Sequence, residues 1–169
     1  MSSKIEIYDN LLGAEAKAAL SQVIARALEK ATEGTPTYSL NSEDEKKIQR
    51  KFVPTLTGTP LDKIGCRLVV SGLVSWTANV PKIHHHNAAH NALLYYSDVA
   101  WEPQWYGGTI WIESKAYVDM LVPRIVKLSP YVPGRLVLFP AEMLHSILPT
   151  VDDAPKNRTT LTLFFDKEK

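Results

Sequence analysis

Ala92-Leu93-Leu94-Tyr95-Tyr96 decides the fold. Five apolar or aromatic residues, rich in side chains that suit a pleated surface and closed off by Asp98, read as one short, well-buried strand. Runs of the same character recur at 67–74, 109–112, 135–139 and 160–165, each bounded by Gly, Pro, Asn or Asp. Several short strands with turn signals between them predict a sandwich or barrel. Gly107-Gly108 reads as a tight turn or bulge, and Val132-Pro133-Gly134 as the turn that opens the 135–139 strand; both are punctuation rather than chemistry.

Upstream of the strands, Ile5, Ile7 and Leu11-Leu12 suggest a short strand and turn. Ala16, Leu20, Val23, Ile24, Ala27 and Leu28 then recur at helical spacing, which predicts one amphipathic helix stopped by Gly34 and Pro36. The segment 35–61 turns polar, and its run Glu43-Asp44-Glu45-Lys46-Lys47 reads as a solvated face in a loop-rich stretch with a short helix near 43–51. The expected class is α+β, a jelly-roll-like core with the N-terminal helix packed outside it.

The 169 residues suit one domain, 1–169. Nineteen basic against eighteen acidic residues leave a net charge of +1, so bulk charge selects neither nucleic acid nor an anionic membrane, and recognition must be local. Cys66 stands alone, which excludes an internal disulfide and a cysteine-paired zinc site and fits a reducing compartment. The first residues lack the apolar core of a secretory signal, and no apolar run approaches the length of a membrane span. The expectation is a soluble, cytoplasmic protein.

Chemistry concentrates in the histidines. His84, His85, His86 and His90 fall within seven residues, and the fifth, His145, follows about sixty residues later, just past a predicted strand. On an extended chain His84 and His86 share a face while His85 points away. Such a pair plus a distant third ligand is how a β-barrel builds a facial metal site with open positions, and His145 can supply the third point. The competing reading is a patch of surface polarity, against which stands the mid-chain position directly before an apolar strand. His90 reads equally well as a structural or substrate-contacting residue and is left out of the ligand set.

Arg158 is the second feature. Alternation along 158–164 puts Arg158, Thr160, Thr162 and Phe164 on one face, and an arginine turned into a barrel needs an anion, which its planar fork grips bidentately if it is a carboxylate. A dicarboxylate co-substrate would satisfy it. Taken alone, the sequence allows equally that Arg158 begins the strand at the surface after the loop 152–157.

Leu93-Leu94-Tyr95-Tyr96, then Trp101, Trp105 and Gly107-Gly108-Thr109, resembles the strand and paired-glycine turn of prolyl-4-hydroxylase-type 2-oxoglutarate oxygenases. Pro133-Gly134-Arg135-Leu136-Val137-Leu138-Phe139, His145 and Arg158-Thr159-Thr160 resemble, in order, that family's proline-glycine strand, distal histidine and co-substrate arginine. The resemblance covers about residues 67–165. It implies a double-stranded β-helix (jelly-roll, cupin-like) and an Fe(II)- and 2-oxoglutarate-dependent dioxygenase that uses O2 to hydroxylate an unactivated C–H of a small molecule, amino acid or peptide residue. It also implies iron held by His84 and His145, and 2-oxoglutarate held by Arg158 with Tyr96 and Thr160. Trp76, Trp101, Trp105 and Trp111 would line the mouth or pack in the core.

The chain departs from the family at the near metal motif, histidine-any-carboxylate. Counted from His84 the carboxylate position holds His86, from His85 it holds Asn87, and from His86 it holds Ala88. Distance onward to Leu93-Leu94 favours the first, giving a triad of His84, His86 and His145. The third register would resemble 2-oxoglutarate halogenases, where a small residue leaves room for chloride. A three-imidazole set leaves a divalent metal with its full +2 charge and suits zinc, copper and nickel as well as iron, so a barrel with altered or lost oxygenase activity is the other alternative. Ala92 also stands where relatives often carry threonine.

Overall fold

A computed structural model describes residues 4–30, 37–64, 67–68, 73–75, 82–87, 91–113, 124–154 and 158–166. Gly34, Pro36, Cys66, Trp76, Ala88 and His90 lie outside them.

Two α-helices and ten strands, with three short 3-10 helices between them, make up the described chain: β1 (Glu6–Tyr8), α1 (Ala14–Glu29), β2 (Thr37–Ser39), α2 (Ser42–Lys51), β3 (Arg67–Leu68), β4 (Leu73–Ser75), β5 (Asn91–Tyr96), β6 (Thr109–Ile112), β7 (Ile125–Ser129), β8 (Leu136–Pro140), β9 (His145–Ile147) and β10 (Thr160–Asp166). Helix α2 starts where Asn41 leaves extended backbone and its side chain accepts hydrogen bonds from the Glu43 and Asp44 amides; three acidic residues follow in the first turn, two basic ones in the last. These are the charges that in sequence read only as a solvated face.

The strands form two antiparallel sheets. In the larger the order is β1-β8-β5-β10-β4-β2, with β3 also on β10; the smaller runs β7-β6-β9. Strand β5 sits between β8 and β10, with Leu93 opposite Leu138 on one side and Leu163 on the other. Its central place explains why 92–96 shows no polar alternation: both faces are covered.

Those faces meet different surroundings. Leu93 and Tyr95, with Leu136, Leu138, Leu161, Leu163 and Phe165, share one apolar cluster with Leu20, Val23 and Ile24 of α1 and Ile48 of α2. Ala92, Leu94 and Tyr96, with Val137, Phe139 and Phe164, share the other with Trp111 of the smaller sheet and Tyr131. One face of the larger sheet is thus joined to the helices, and the other looks across to β6. Burying each large aliphatic side chain contributes about 1.5–3 kcal/mol, so the helical side carries much of the stability.

Several boundaries differ from the sequence reading. The 67–74 run appears as β3 and β4, both on β10, with 69–72 outside the described residues. Segment 35–61 holds β2 as well as α2. Strand β7 lies at Ile125–Ser129, where the sequence reading places no strand. That strand was illegible because Ile125, Val126 and Leu128 are all exposed on the sheet's edge, so no in-out alternation marks it. Among the described residues no helix is long and apolar enough to cross a membrane.

Leu163 is fully buried on the helical side. Leu163→Ala is expected to lower the unfolding free energy by about 2–5 kcal/mol in urea titrations while metal binding at the opposite face persists.

Candidate metal centre

His84, His85 and His86 do not lie on a strand. The segment 82–87 is extended and makes one isolated bridge, His84 to His145, in which each backbone N–H donates to the other's carbonyl at 3.0 and 2.9 Å. The His86 amide adds a bond to the Ala141 carbonyl at 2.8 Å. Three backbone bonds therefore dock the segment on the 141–145 region, and the extended geometry turns His84 and His86 to one side.

One potential ligand atom from each of His84, His86 and His145 lies within 4.8 Å of the other two. The rings of His84 and His145 are 4.3 Å apart, those of His84 and His86 5.1 Å, and those of His86 and His145 5.0 Å. His85 and Asn87 are exposed and outside this group. The structure thus brings together the three histidines named from sequence, and neither His85 nor Asn87 joins them.

Tautomers follow from the hydrogen bonds. His84 Nδ1 lies 2.9 Å from the Lys82 carbonyl and His145 Nδ1 lies 2.8 Å from the Met143 carbonyl. A carbonyl only accepts, so both Nδ1 atoms carry the proton and both Nε2 lone pairs are left to face a cation. Backbone orientation of this kind is what metal-binding imidazoles use. Burial drives the His145 ring down to about 3, with the other histidines lowering it further against the Met143 bond; burial, then His84 and His85, brings His86 down to about 4. Both rings are neutral at pH 7, the form that binds metal. Three imidazoles at this spacing fit a divalent transition-metal ion.

Behind the histidines, Phe139 and Phe164 form a dry wall, their rings 5.0 Å from His145 and 4.8 Å from His86. Phe164 also shows which way β10 faces. Thr160, Thr162 and Phe164 alternate toward this side, while Leu161, Leu163 and Phe165 face the helices.

Arg158 is buried, 1% exposed, just before β10. Its Nε donates to the Gly107 carbonyl and its Nη2 reaches Thr109 Oγ1 at 3.3 Å. The rings of Tyr96 and Tyr131 stand 5.6 and 5.4 Å from Cζ and stack on each other at 4.8 Å. Burial lowers the Arg158 pKa and the two phenols oppose that; the group remains a cation.

Tyr96 contributes its ring more than its hydroxyl, which donates to the Ser129 carbonyl at 3.3 Å. Thr160 is buried and lies opposite Tyr96 in register. Trp101 is half-buried, 4.6 Å ring to ring from Tyr131, Trp105 packs edge-on against it at 5.5 Å, and Trp111 is fully buried.

Tyr131, Gly107 and Thr109 went unrecognised as site residues in the sequence. The Tyr131 hydroxyl sits 2.9 Å from the Thr159 carbonyl and 3.1 Å from that of Ser97, with Ser97 Oγ at 2.8 Å, which pins its ring beside Arg158. Gly107 has φ +71, and a Cβ there would stand 3.1 Å from Arg158 Cδ and 3.0 Å from Thr150 Cγ2. At Gly108 a Cβ would fall 2.5 Å from the Ser129 carbonyl oxygen. The paired glycine is therefore part of the wall around the guanidinium as well as a turn. Inward alternation of Thr109 and Trp111 was the signal available for Thr109.

Strand β6 links the histidine cluster to Arg158. Thr109, which touches Arg158, and Trp111, directly opposite His145, are two residues apart on one face, a rise of about 6–7 Å. A five-carbon dicarboxylate can bridge a metal at one end and the guanidinium at the other.

No family model and no curated protein matches the sequence. Solved structures do share the fold. A Trichoplax adhaerens prolyl hydroxylase, solved with a peptide fragment of the hypoxia inducible factor oxygen degradation domain, matches at TM-score 0.58 and 16% identity over 97% of this chain and 84% of that one. A Pseudomonas putida prolyl-4-hydroxylase matches at 0.55 and 16% identity over 98% and 93%. HygX from Streptomyces hygroscopicus, solved with nickel and 2-oxoglutarate bound, matches at 0.60 and 11% identity over 95% and 82%.

Two outcomes are expected of the metal-free protein and its titration. Isothermal calorimetry with Ni(II) should give one equivalent bound for wild type and His85→Ala, and loss of that binding for His84→Ala and His86→Ala. Unfolded imidazoles titrate at about 6.5, above the folded His86 and His145 at about 4 and about 3. Below pH of about 6.5 the unfolded state takes up protons that the folded state refuses, so stability is full above that pH and falls as pH drops toward the folded values. Urea titrations at neutral and mildly acid pH should show this drop, and His86→Gln should reduce it.

Proposed function

We propose that this chain is a single-domain Fe(II)- and 2-oxoglutarate-dependent oxygenase of the prolyl-4-hydroxylase type, built on a double-stranded β-helix, that oxidises an unactivated C–H bond of a small molecule, amino acid or peptide residue. The observation that carries this reading is the pairing of three convergent imidazoles with a buried arginine whose partner Thr109 stands two residues along β6 from Trp111, the residue opposite His145. The fold shared with 2-oxoglutarate-binding HygX and with two prolyl hydroxylases supports it.

His84 and His145 would hold the metal through Nε2, with His86 as the third ligand. Arg158 would take the distal carboxylate of 2-oxoglutarate in its fork, with Thr160 on the same side of β10 and the Tyr96 and Tyr131 rings keeping the guanidinium in plane. Bound together, iron and 2-oxoglutarate supply the oxidising chemistry, in which O2 converts the co-substrate to succinate and CO2 and delivers one oxygen atom to substrate. The protein's part is orientation and exclusion of water: Phe139 and Phe164 keep the ligand side dry, and the Lys82 and Met143 carbonyls fix two ring orientations.

His86 favours a second reading, a metal-binding barrel without oxygenase turnover, because an imidazole in place of a carboxylate leaves the ion one positive charge richer and widens the range of metals the site accepts.

The two readings separate in one assay. The oxygenase reading expects succinate from 2-oxoglutarate that requires added Fe(II). It also expects Arg158→Lys, which keeps the charge and loses the fork, to weaken 2-oxoglutarate binding about ten- to a hundredfold with Ni(II) stoichiometry unchanged. Metal binding with no affinity for 2-oxoglutarate in wild type would leave the second reading standing.

A further inference from the structure

Trp111 is the largest of the fully buried side chains, 0% exposed, on the face of β6 that looks at the larger sheet. Its ring packs edge-on to Phe139 at 5.4 Å, and Phe139 in turn packs on His145. Register places Trp111 directly opposite His145. Cross-strand partners in this relation hold their Cβ atoms about 5 Å apart on one face.

The indole Nε1–H is buried and has no hydrogen-bond acceptor among the described residues. Such donors are rare, because a buried N–H that has given up water without gaining an acceptor is costly, and each calls for an explanation. Phenylalanine or leucine would fill an ordinary apolar core position without that cost. Here the orphan donor lies on the strand face that carries Thr109 and Arg158 at one level and His145 at the next. The proposed co-substrate would lie along that face. It is an anion with four carboxylate oxygens and a keto oxygen, and a fork at one end with a metal at the other leaves acceptors unused between them.

We infer that Trp111 is a co-substrate-binding residue, its indole N–H donating a hydrogen bond to a carboxylate oxygen of 2-oxoglutarate bound between Arg158 and the three-histidine centre. The inference rests on the oxygenase reading and adds to it a neutral donor that lies inside the barrel and near the metal. An N–H group suits this place because a second cation beside a divalent ion and Arg158 would be repelled, whereas a neutral dipole fixes the anion without adding charge. The aromatic body of the same side chain continues the dry wall begun by Phe139.

The test uses full-length protein loaded with Zn(II), so that no turnover occurs. Calorimetry of 2-oxoglutarate binding to wild type and Trp111→Phe is combined with the indole N–H resonance in a 15N–1H spectrum, assigned by its absence from the variant. The expected result is binding to wild type, weakening of about tenfold or more in Trp111→Phe with one Zn(II) still bound, and a downfield shift of the Trp111 indole proton on adding 2-oxoglutarate. Wild type that binds 2-oxoglutarate, with a variant of equal affinity and an unmoved resonance, would overturn the inference and leave the oxygenase reading intact; an enclosed water would then be the indole's acceptor. Wild type that binds Zn(II) but no 2-oxoglutarate overturns both. Should Trp111→Phe fold poorly, the resonance can be assigned from Trp76→Phe, Trp101→Phe and Trp105→Phe, and an indole signal that ignores the co-substrate decides against the inference.

Discussion

The reciprocal backbone bond between His84 and His145 is the constraint on which the site depends. These residues are separated by about sixty positions, and the segment around His84 belongs to no strand, so among the described residues this bridge and the His86 amide bond to Ala141 are the backbone bonds that dock the first two histidines. Because each partner of the bridge is also a ligand candidate, docking the segment and forming the metal site are one event. A cation held by all three rings would clip the same two pieces of chain a second time. Metal binding and ordering of 82–87 are therefore thermodynamically linked, each stabilising the other.

Electrostatics makes the rest of the interior intelligible. His86 and His145 are neutral in the metal-free protein because burial, with the neighbouring histidines adding to it, lowers both, so a divalent ion entering the site meets neither of them protonated. A two-histidine, one-carboxylate site would lower the ion's charge by one, and this triad does not. With Arg158 counted, a divalent metal brings the interior to +3, and a dianion returns it to +1 where the carboxylate version would reach zero. The extra charge should favour anionic ligands and disfavour higher oxidation states of the metal. The aromatic rings around Arg158 temper the problem at the other end, since the faces of Tyr96 and Tyr131 offer partial negative charge to a buried guanidinium without adding a formal one.

The sequence made some of this legible for reasons that can be located. Strand β5 was readable because it is covered on both faces, and β6 and β10 because their apolar character survives one residue after another. The pairing of His84 with His86 followed from two-residue periodicity, and the register and His145 from the resemblance to the oxygenase family, even though the segment makes a single bridge rather than a strand. Strand β7 was lost because its side chains are exposed on both faces, and β9 because three residues, His145–Ile147, carry too little pattern. Tyr131 could not be found: it sits in a turn of Ser, Pro, Val and Gly, and only its hydroxyl bonds to Ser97 and Thr159 turn its ring toward Arg158. The paired glycine at 107–108 was read as a turn, and its second role as the surface on which the guanidinium lies is a matter of tertiary contact.

Strands β5, β8 and β10 divide their labour by face. Leu93, Tyr95, Leu138, Leu161 and Leu163 point to the helices and hold the sheet together, while Tyr96, Phe139, Thr160 and Phe164 lie on the face of the three histidines and Arg158. Period-two geometry makes this separation strict, since a slip of one residue would send every site residue into the helical core and every core leucine into the site. The helical layer thus secures the chemistry indirectly: by fixing register it fixes which face of β10 Arg158 begins and which ring of β8 backs His145. A change on the helical face that preserves register should cost stability and leave ligand geometry alone, whereas one that shifts register would destroy the centre without touching a single histidine.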